Sequence, residues 1–154
     1  MSRVQTRTRI ADIVTADKSS LGLATVFRWT PRATANWELP ILFVSGTTET
    51  TAYRQHEKLL NRDQTWLVRV LMQEMGLGWT EDIENRQDTL IDALFTLFNG
   101  NPNLRLNDAG LEGVDVVQWA GVRIVTPYSF PTGQSTKMYH TFEMPLLVRY
   151  SQLC

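Results

Sequence analysis

The sequence predicts an α+β fold in which α-helices flank a mostly antiparallel β-sheet. Residues 81–98 repeat apolar side chains at helical spacing, whereas residues 65–73 and 138–150 have the character of strands. With short connections, this order of elements favours antiparallel pairing with the helices packed on one face. The predicted element order is α-β-β-α-β-β, in one domain spanning residues 1–154.

The first element is a helix predicted over residues 3–16. Its apolar positions only partly follow helical spacing. They are Val4, Ile10, Ile13 and Val14. Residues 17–37 are interpreted as a linker with a short extended piece at 24–29. Trp29 and Trp37 flank that piece, and we expect them to pin the linker to the core.

Two strands follow, over residues 38–45 and 65–73. Pro40 lies at the start of the first strand, where a missing N–H costs least. The second strand is apolar on both faces near its middle, which predicts a central position in the sheet. No tight turn joins the two strands in this interpretation, and residues 46–63 are predicted to be a polar connection.

The best-defined element is a helix over residues 81–98. Thr80 is its predicted N-cap, and acidic residues occupy the first turn, where the helix dipole favours them. One arc of the helix is apolar and is expected to pack on the sheet: Ile83, Leu90, Ile91, Leu94, Leu97 and Phe98. The opposite arc is acidic and is expected to face solvent: Glu81, Glu84, Asp88 and Asp92.

The chain closes with two long predicted strands, over residues 113–126 and 138–150. The second alternates apolar side chains on one face with mixed side chains on the other. Residues 127–137 lie between them and contain two prolines and a glycine, which predicts a loop.

Composition limits the classes of protein to which the chain can belong. Hydrophobic residues make up 43% of the chain, an ordinary fraction for a soluble globular protein. There is no apolar run of transmembrane length and no apolar signal-peptide core at the amino terminus, so we expect neither membrane insertion nor export. The only cysteine is Cys154, which excludes an intrachain disulfide and fits a reducing compartment.

The charge is unevenly distributed along the chain. Residues 1–37 carry six Lys or Arg against two Asp, whereas residues 81–115 carry eight acids against two Arg. Such asymmetry suits head-to-tail contact between copies of the chain. The alternative is a lopsided distribution that arose by chance and has no role.

No residue pattern predicts catalysis. His56 and His140 have no acid or nucleophile at a motif spacing, so they are interpreted as ordinary surface histidines. The acidic arc of the helix could attract a hard cation, but a solvated helix face is the preferred interpretation. Glycine motifs that cradle phosphate are absent, so no cofactor and no metal are predicted.

Basic residues near the amino terminus allow contact with a polyanion. Arg3, Arg7 and Arg9 could contact phosphates of a nucleic acid, pair with acids of a neighbouring chain, or remain in solvent. The five tryptophans are expected to lie mostly in the core, with some as interface anchors.

The order of these elements resembles the tail terminator, or tail completion, family of long-tailed bacteriophages. The matching segments are the first helix, "ELPILFVSG", "QTWLVRVLMQ", the acid-headed helix "TEDIENRQDTLIDALFTLF" and the closing "FEMPLLVRYS". The resemblance covers residues 3–151 and rests on element order, length and strand character. Residues 17–37 are longer than the plainest family pattern.

The resemblance implies a structural protein without enzymatic activity. Members of that family form a hexameric ring that caps the finished tail tube and then docks to the head-side connector, and phage DNA passes through the ring. It also implies long loops or hairpins that reach the tube or the next subunit. Here these would be residues 46–63 and 127–137, with a set of expected contact residues: Tyr53, Arg54, Tyr128, Phe130 and Lys137.

The resemblance places the protein at the head-proximal end of the virion tail, and in the host cytoplasm during assembly. The acids of the 81–98 helix would then face the DNA channel or an outer surface. Two alternatives stay open at this point. One is another neck, head-completion or tail-tube component, and the other is a non-viral α+β domain that binds a small molecule or acts as an enzyme.

Overall fold

The chain adopts the predicted α+β class with a different order of elements. The computed structural model describes residues 2–31, 38–132 and 135–153. Within these ranges the elements are α1 (Arg3–Ala16), α2 (Lys18–Leu21), β1 (Thr25–Phe27), β2 (Ile41–Arg54), β3 (Leu59–Glu74), α3 (Glu81–Asn99), β4 (Val114–Trp119), β5 (Arg123–Thr132) and β6 (Ser135–Leu153).

The predicted order α-β-β-α-β-β differs from this at two places. The predicted linker contains the short helix α2 and the strand β1. β1 forms because its three residues pair in parallel with β2. The segment predicted as one strand over 113–126 is two strands, β4 and β5. The chain turns between them at Gly121, whose φ of +132° would strain any residue with a side chain.

A single curled sheet carries the fold. Its strand order is β1-β2-β3-β6-β4, and β5 pairs with β6 beside β4. Only β1–β2 is parallel among the described pairs, and the others are antiparallel. The central position predicted for the strand at 65–73 is confirmed, because β3 lies between β2 and β6.

The main core lies between one face of the sheet and the helices. On α3, Leu90, Leu94 and Phe98 are fully or almost fully buried, whereas Ile83 is only half-buried. Thr80 caps α3 as predicted, since its hydroxyl accepts a hydrogen bond from the backbone N–H of Ile83 at 3.4 Å. The predicted helix is therefore confirmed, and its packing arc is confirmed from Leu90 to Phe98 but not at Ile83.

The first helix also packs on this face of the sheet. Its buried apolar residues are Ile10, Ala11, Ile13 and Val14. Val4 is exposed, so the expectation that it belongs to the apolar face is wrong. The helix begins with a capping box, in which Ser2 and Gln5 satisfy each other's backbone N–H groups.

A smaller cluster covers part of the opposite face of the sheet. It contains Ile41, Phe43, Leu71 and Tyr139, with Phe27 of β1 packed against them. Trp29 is 56% exposed and contacts only the ring of Phe27 among the aromatic pairs described, at 5.7 Å between ring centroids. The expectation that Trp29 anchors the linker in the core is therefore wrong. Trp37 lies outside the described residues.

The two predicted polar connections are β-hairpins. Residues 46–63 are the paired ends of β2 and β3, joined by a four-residue turn at 55–58, so the expectation that no tight turn joins these strands is wrong. Residues 127–132 belong to β5 and residues 135–137 to β6, and the register of the two strands runs to Thr132↔Ser135. Polar composition suggested loops, but threonine has high strand propensity, and an exposed ribbon needs few apolar residues.

Candidate functional site

The β2–β3 hairpin forms an arm at one end of the sheet. Its strands stay paired to Arg54↔Leu59, and β6 runs beside β3 as far as Leu153, so the arm has three strands. Two predicted contact residues lie near its tip. Tyr53 is 56% exposed, and Arg54 forms an exposed ion pair with Glu57 at 3.6 Å. Both side chains are accessible to a partner at this end of the molecule.

The base of this arm is fixed by a charged cluster around Glu49. The Glu49 carboxylate accepts hydrogen bonds from the guanidinium groups of Arg62 on β3 and Arg3 on α1, the latter at 2.7 Å. The Arg3 guanidinium also lies over the ring of Trp66, 4.8 Å from its centroid. The hydrogen bond from Arg62 is the main reason that the pKa of Glu49 is lowered, and Arg3 adds to it against the effect of burial.

Gly46 makes this cluster sterically feasible. A Cβ at this position would lie 2.5 Å from an Arg3 nitrogen and 2.9 Å from the Trp66 ring. Trp66 is almost fully buried and has no space to retreat. The absence of a side chain at Gly46 therefore lets α1 attach to the arm at the point where the β2–β3 register shifts, between Gly46 and Glu49.

Two of the three amino-terminal arginines predicted to make basic contacts, Arg3 and Arg9, bind groups within the chain. Arg3 binds Glu49, as above, and Arg9 donates hydrogen bonds to the carbonyl oxygens of Leu104 and Ala109, at 3.1 and 2.7 Å. Arg7 is half-buried. These contacts tie α1 to the arm and to the loop before β4, and contact of the arginines with phosphate or a neighbouring chain stays a prediction.

The β5–β6 hairpin forms a second arm. The last β3 pair with β6 is Glu74↔Tyr139, whereas β5 and β6 continue as a two-stranded ribbon from there towards Thr132↔Ser135. Tyr128 pairs with Tyr139 through the backbone, and Phe130 pairs with Lys137. The side chains of Tyr128 and Phe130 lie outside the described part of the chain. The Lys137 amine is 3.8 Å from the Glu74 carboxylate, so the expected contact residue Lys137 lies at the base of this ribbon.

The two arms extend from opposite ends of the sheet. The turn of the first arm lies at the start of β3, and the second ribbon leaves the sheet beyond the end of β3. An extended chain rises about 3.3 Å per residue, so the 16 residues of β3 separate the turn of the first arm from the base of the second by roughly 50 Å. The sequence predicted two polar extensions but not their opposite directions.

The acidic arc of α3 lies away from the sheet. Glu81, Glu84, Asp88 and Asp92 are all exposed, as expected for the arc opposite the packed one. Whether this surface faces a DNA channel stays a prediction.

A buried carboxylate on the opposite face of the sheet was not singled out from the sequence. Glu143 of β6 is 2% exposed and accepts hydrogen bonds from Arg69 on β3, at 2.8 Å, and from Arg123 on β5. Burial acts to raise the pKa of Glu143, but the two arginines outweigh it and the pKa is lowered. The available signal was a lone acid within the apolar run "FEMPLLV".

The two histidines lie at different places in the fold. His56 lies exposed in the turn of the first arm, and His140 packs against the ring of Trp79 at 4.7 Å. A cleft of about 340 Å³ between α2 and α3 is lined by Ser19, Leu21, Met72 and Arg86, among others. Within the described ranges, no three His, Cys, Asp or Glu side chains are placed to hold a metal ion. No helix in those ranges is both long and apolar enough to cross a membrane.

Comparison with known proteins adds no assignment. No protein-family model matches the sequence, and no curated protein matches it significantly.

Proposed function

We propose that this chain is a structural virion protein that forms a ring, with six copies as the expected number, at the head-proximal end of a phage tail. The ring caps the finished tail tube, binds the tube protein on one side and docks to a connector or neck protein on the other. It has no catalytic activity of its own, and DNA passes through it without specific binding. The protein resides in the host cytoplasm until it is built into the virion.

The observation that carries this proposal is the pair of arms at opposite ends of one sheet. An adaptor between a tube and a connector has to contact a different partner at each end. The arms differ in chemistry in the way this requires. The tip of the first arm carries Arg54, Glu57 and Lys58, whereas residues 127–136 of the second carry no charged residue and include two aromatic ones.

The attachment of the first arm supports the same proposal. Glu49 links it to α1 and β3 through two guanidinium groups, so its direction relative to the core is fixed before any partner binds. A preorganised arm loses less conformational freedom on binding than a loop of the same length.

The acids of α3 suit a conduit for DNA. Glu81, Glu84, Asp88 and Asp92 form an exposed negative surface, and a negative wall repels phosphate. Neutralising all four to Gln or Asn should leave ring formation unchanged and slow the release of DNA from assembled virions. A variant with unchanged DNA release would place this surface outside the channel.

Removal of the second arm tests the proposal. Deleting residues 129–135 leaves residues 136–138 to close the hairpin between Tyr128 and Tyr139, which are already paired. The rest of the sheet should fold, and thermal melting checks this. A second variant replaces residues 129–135 by a Gly/Ser segment of equal length. This variant keeps the length of the arm and removes Phe130.

Both variants should fold and fail to cap tails. Electron micrographs of lysates should then show tubes of irregular length that are not joined to heads. Normal, joined virions from the deletion variant would overturn the assembly role of this arm. A purified wild-type protein that forms no ring alone or on tail tubes, measured by light scattering and microscopy, would overturn the proposed function itself.

A further inference from the structure

Along the first arm, no strand of the described chain pairs with the outer edge of β2. β1 pairs only with Ile41, Leu42 and Phe43, and the stretch 47–54 has β3 on one side and no strand on the other within the described chain. An edge strand presents unpaired backbone N–H and C=O groups, and proteins commonly block such edges with proline or lysine. The stretch "TTETTAYR" contains neither and has four threonines, which favour strands.

At the opposite edge of the sheet, β4 occupies the same position along the strand direction as this stretch of β2. Successive strand pairings join these two edges. Val114 of β4 is paired with Tyr150 of β6, Tyr150 is paired with Arg62 of β3, and Arg62 is paired with Thr51 of β2, so Val114 and Thr51 are level along the strand direction. At the other end of β4, Trp119 is level with Leu146, Trp66 and then Gly46. The whole of β4 is therefore level with residues 46–51 of β2, which lie beyond the stretch that β1 covers.

The remaining part of that edge is unsuited to pairing. β5 is level with the part of β2 that β1 already covers, since Arg123 is aligned through Glu143 and Arg69 with Phe43. β5 also contains Pro127 and Pro131, which have no N–H to donate. The open stretch of one edge thus matches the proline-free strand of the other.

The charge asymmetry of the sequence lies across the same two edges. α1 packs against β1 and β2, and it belongs to the segment with six basic residues against two acids. α3 packs against β4, and it belongs to the segment with eight acids against two arginines. The β2 edge therefore lies beside a segment that is rich in basic residues and the β4 edge beside one that is rich in acids, and within the basic segment Arg3 is already paired with Glu49 and Arg28 with Asp12.

We propose that neighbouring copies in the ring join edge to edge, with residues 46–51 of β2 in one copy paired with β4 of the next. This rests on the proposed ring and specifies its interface. Within one copy β4 runs antiparallel to β2, because each of the three intervening pairings is antiparallel. If the ring axis runs along the strands, the rotation that relates neighbouring copies leaves strand directions unchanged. β2 of one copy and β4 of the next are then antiparallel at each junction. Because the two joined edges differ, the contact is heterologous and can close into a ring.

Disulfide trapping between copies tests this pairing. Thr48 and Gln118 are exposed and lie on opposite edges of the sheet. Thr48 lies in the register shift between Gly46 and Glu49, beside Thr65 of β3, and Thr65 is aligned through Leu147 with Gln118, so the two side chains come together only across the proposed junction. The test protein carries Thr48→Cys and Gln118→Cys with Cys154→Ser. The matched control combines Thr48→Cys with Ser129→Cys, also with Cys154→Ser, because Ser129 is exposed but aligned with Met138 rather than Leu147, roughly 30 Å further along β6.

Oxidation of the test protein should link copies into a ladder of oligomers that ends at the closed ring, while the control and each single cysteine variant remain unlinked. An unlinked test protein that still forms rings by light scattering would overturn the edge pairing and leave the proposed function standing. Dimers from Thr48→Cys alone would show β2 pairing with β2, which also overturns it. Monomers throughout, both free and with tail tubes, would contradict the ring and the pairing together.

Discussion

Replacing Leu94 by Ala tests whether packing of α3 on the sheet stabilises the fold. Leu94 has no exposed surface and lies in the main core cluster. Burial of a leucine contributes about 1.5–3 kcal/mol, and the cavity left by truncation adds to the loss, so the free energy of unfolding should fall by about 2–5 kcal/mol. In a domain of this size that corresponds to a fall in Tm of roughly 4–20 °C.

Phe95 provides a matched control on the same helix. It adjoins Leu94 in sequence but is 45% exposed, so Phe95→Ala should cost about 1 kcal/mol or less. Thermal melting followed by circular dichroism, with urea titration for the free energy, measures both variants. An unchanged Tm for Leu94→Ala, or a larger fall for Phe95→Ala, would contradict the packing of this face on the sheet.

Three other predictions follow from named contacts. The pKa of Glu143 is lowered in the folded protein, so its carboxylate stabilises the fold fully above its ordinary pKa and loses this effect as the pH falls below about 4. In the variant Glu143→Gln, urea titrations should therefore show a smaller loss of unfolding free energy between pH 5 and 3 than in the wild type. An unchanged dependence of that free energy on pH would refute the role of Glu143. Gly46→Ala should lower the free energy of unfolding by about 1–3 kcal/mol, because the added methyl group overpacks the base of the first arm. Gly100 has open space around it, so Gly100→Ala should change this free energy little. Equal melting curves for the two variants would contradict the crowding around Gly46. Replacing His56 and His140 together by Gln should leave phage viability near wild type in plaque assays, and loss of viability with intact rings would indicate a chemical role.

Local patterns carried the prediction of the helices and of the fold class. The apolar arc of α3 and its Thr80 cap follow from residues within a few positions of each other, since a helix closes its hydrogen bonds within one segment. The central position of β3 was also predictable, because a strand covered on both faces needs apolar residues on both. Both predictions depend on periodicity rather than on distant partners.

The hairpins were missed for a related reason. Residues 46–54 contain threonine and charge, and nothing local says that residues 59–64 lie beside them. Polar composition describes the exposure of a segment, and an exposed edge strand and a loop are both exposed. Pairing is a property of two segments together, so neither segment states it alone.

The sequence by itself determined that residues 3–16 and 81–98 are helical, which strand lies in the centre of the sheet, which helix arc is acidic and how charge divides along the chain. Only the tertiary structure decided that the two polar extensions point in opposite directions, that Glu143 is buried between Arg69 and Arg123, and that β4 is level with the open part of β2. The physical reason is the range of the interactions. Periodicity and capping act over a few residues, whereas strand register and buried ion pairs join residues that are distant in sequence, and their partners are set only when the sheet forms.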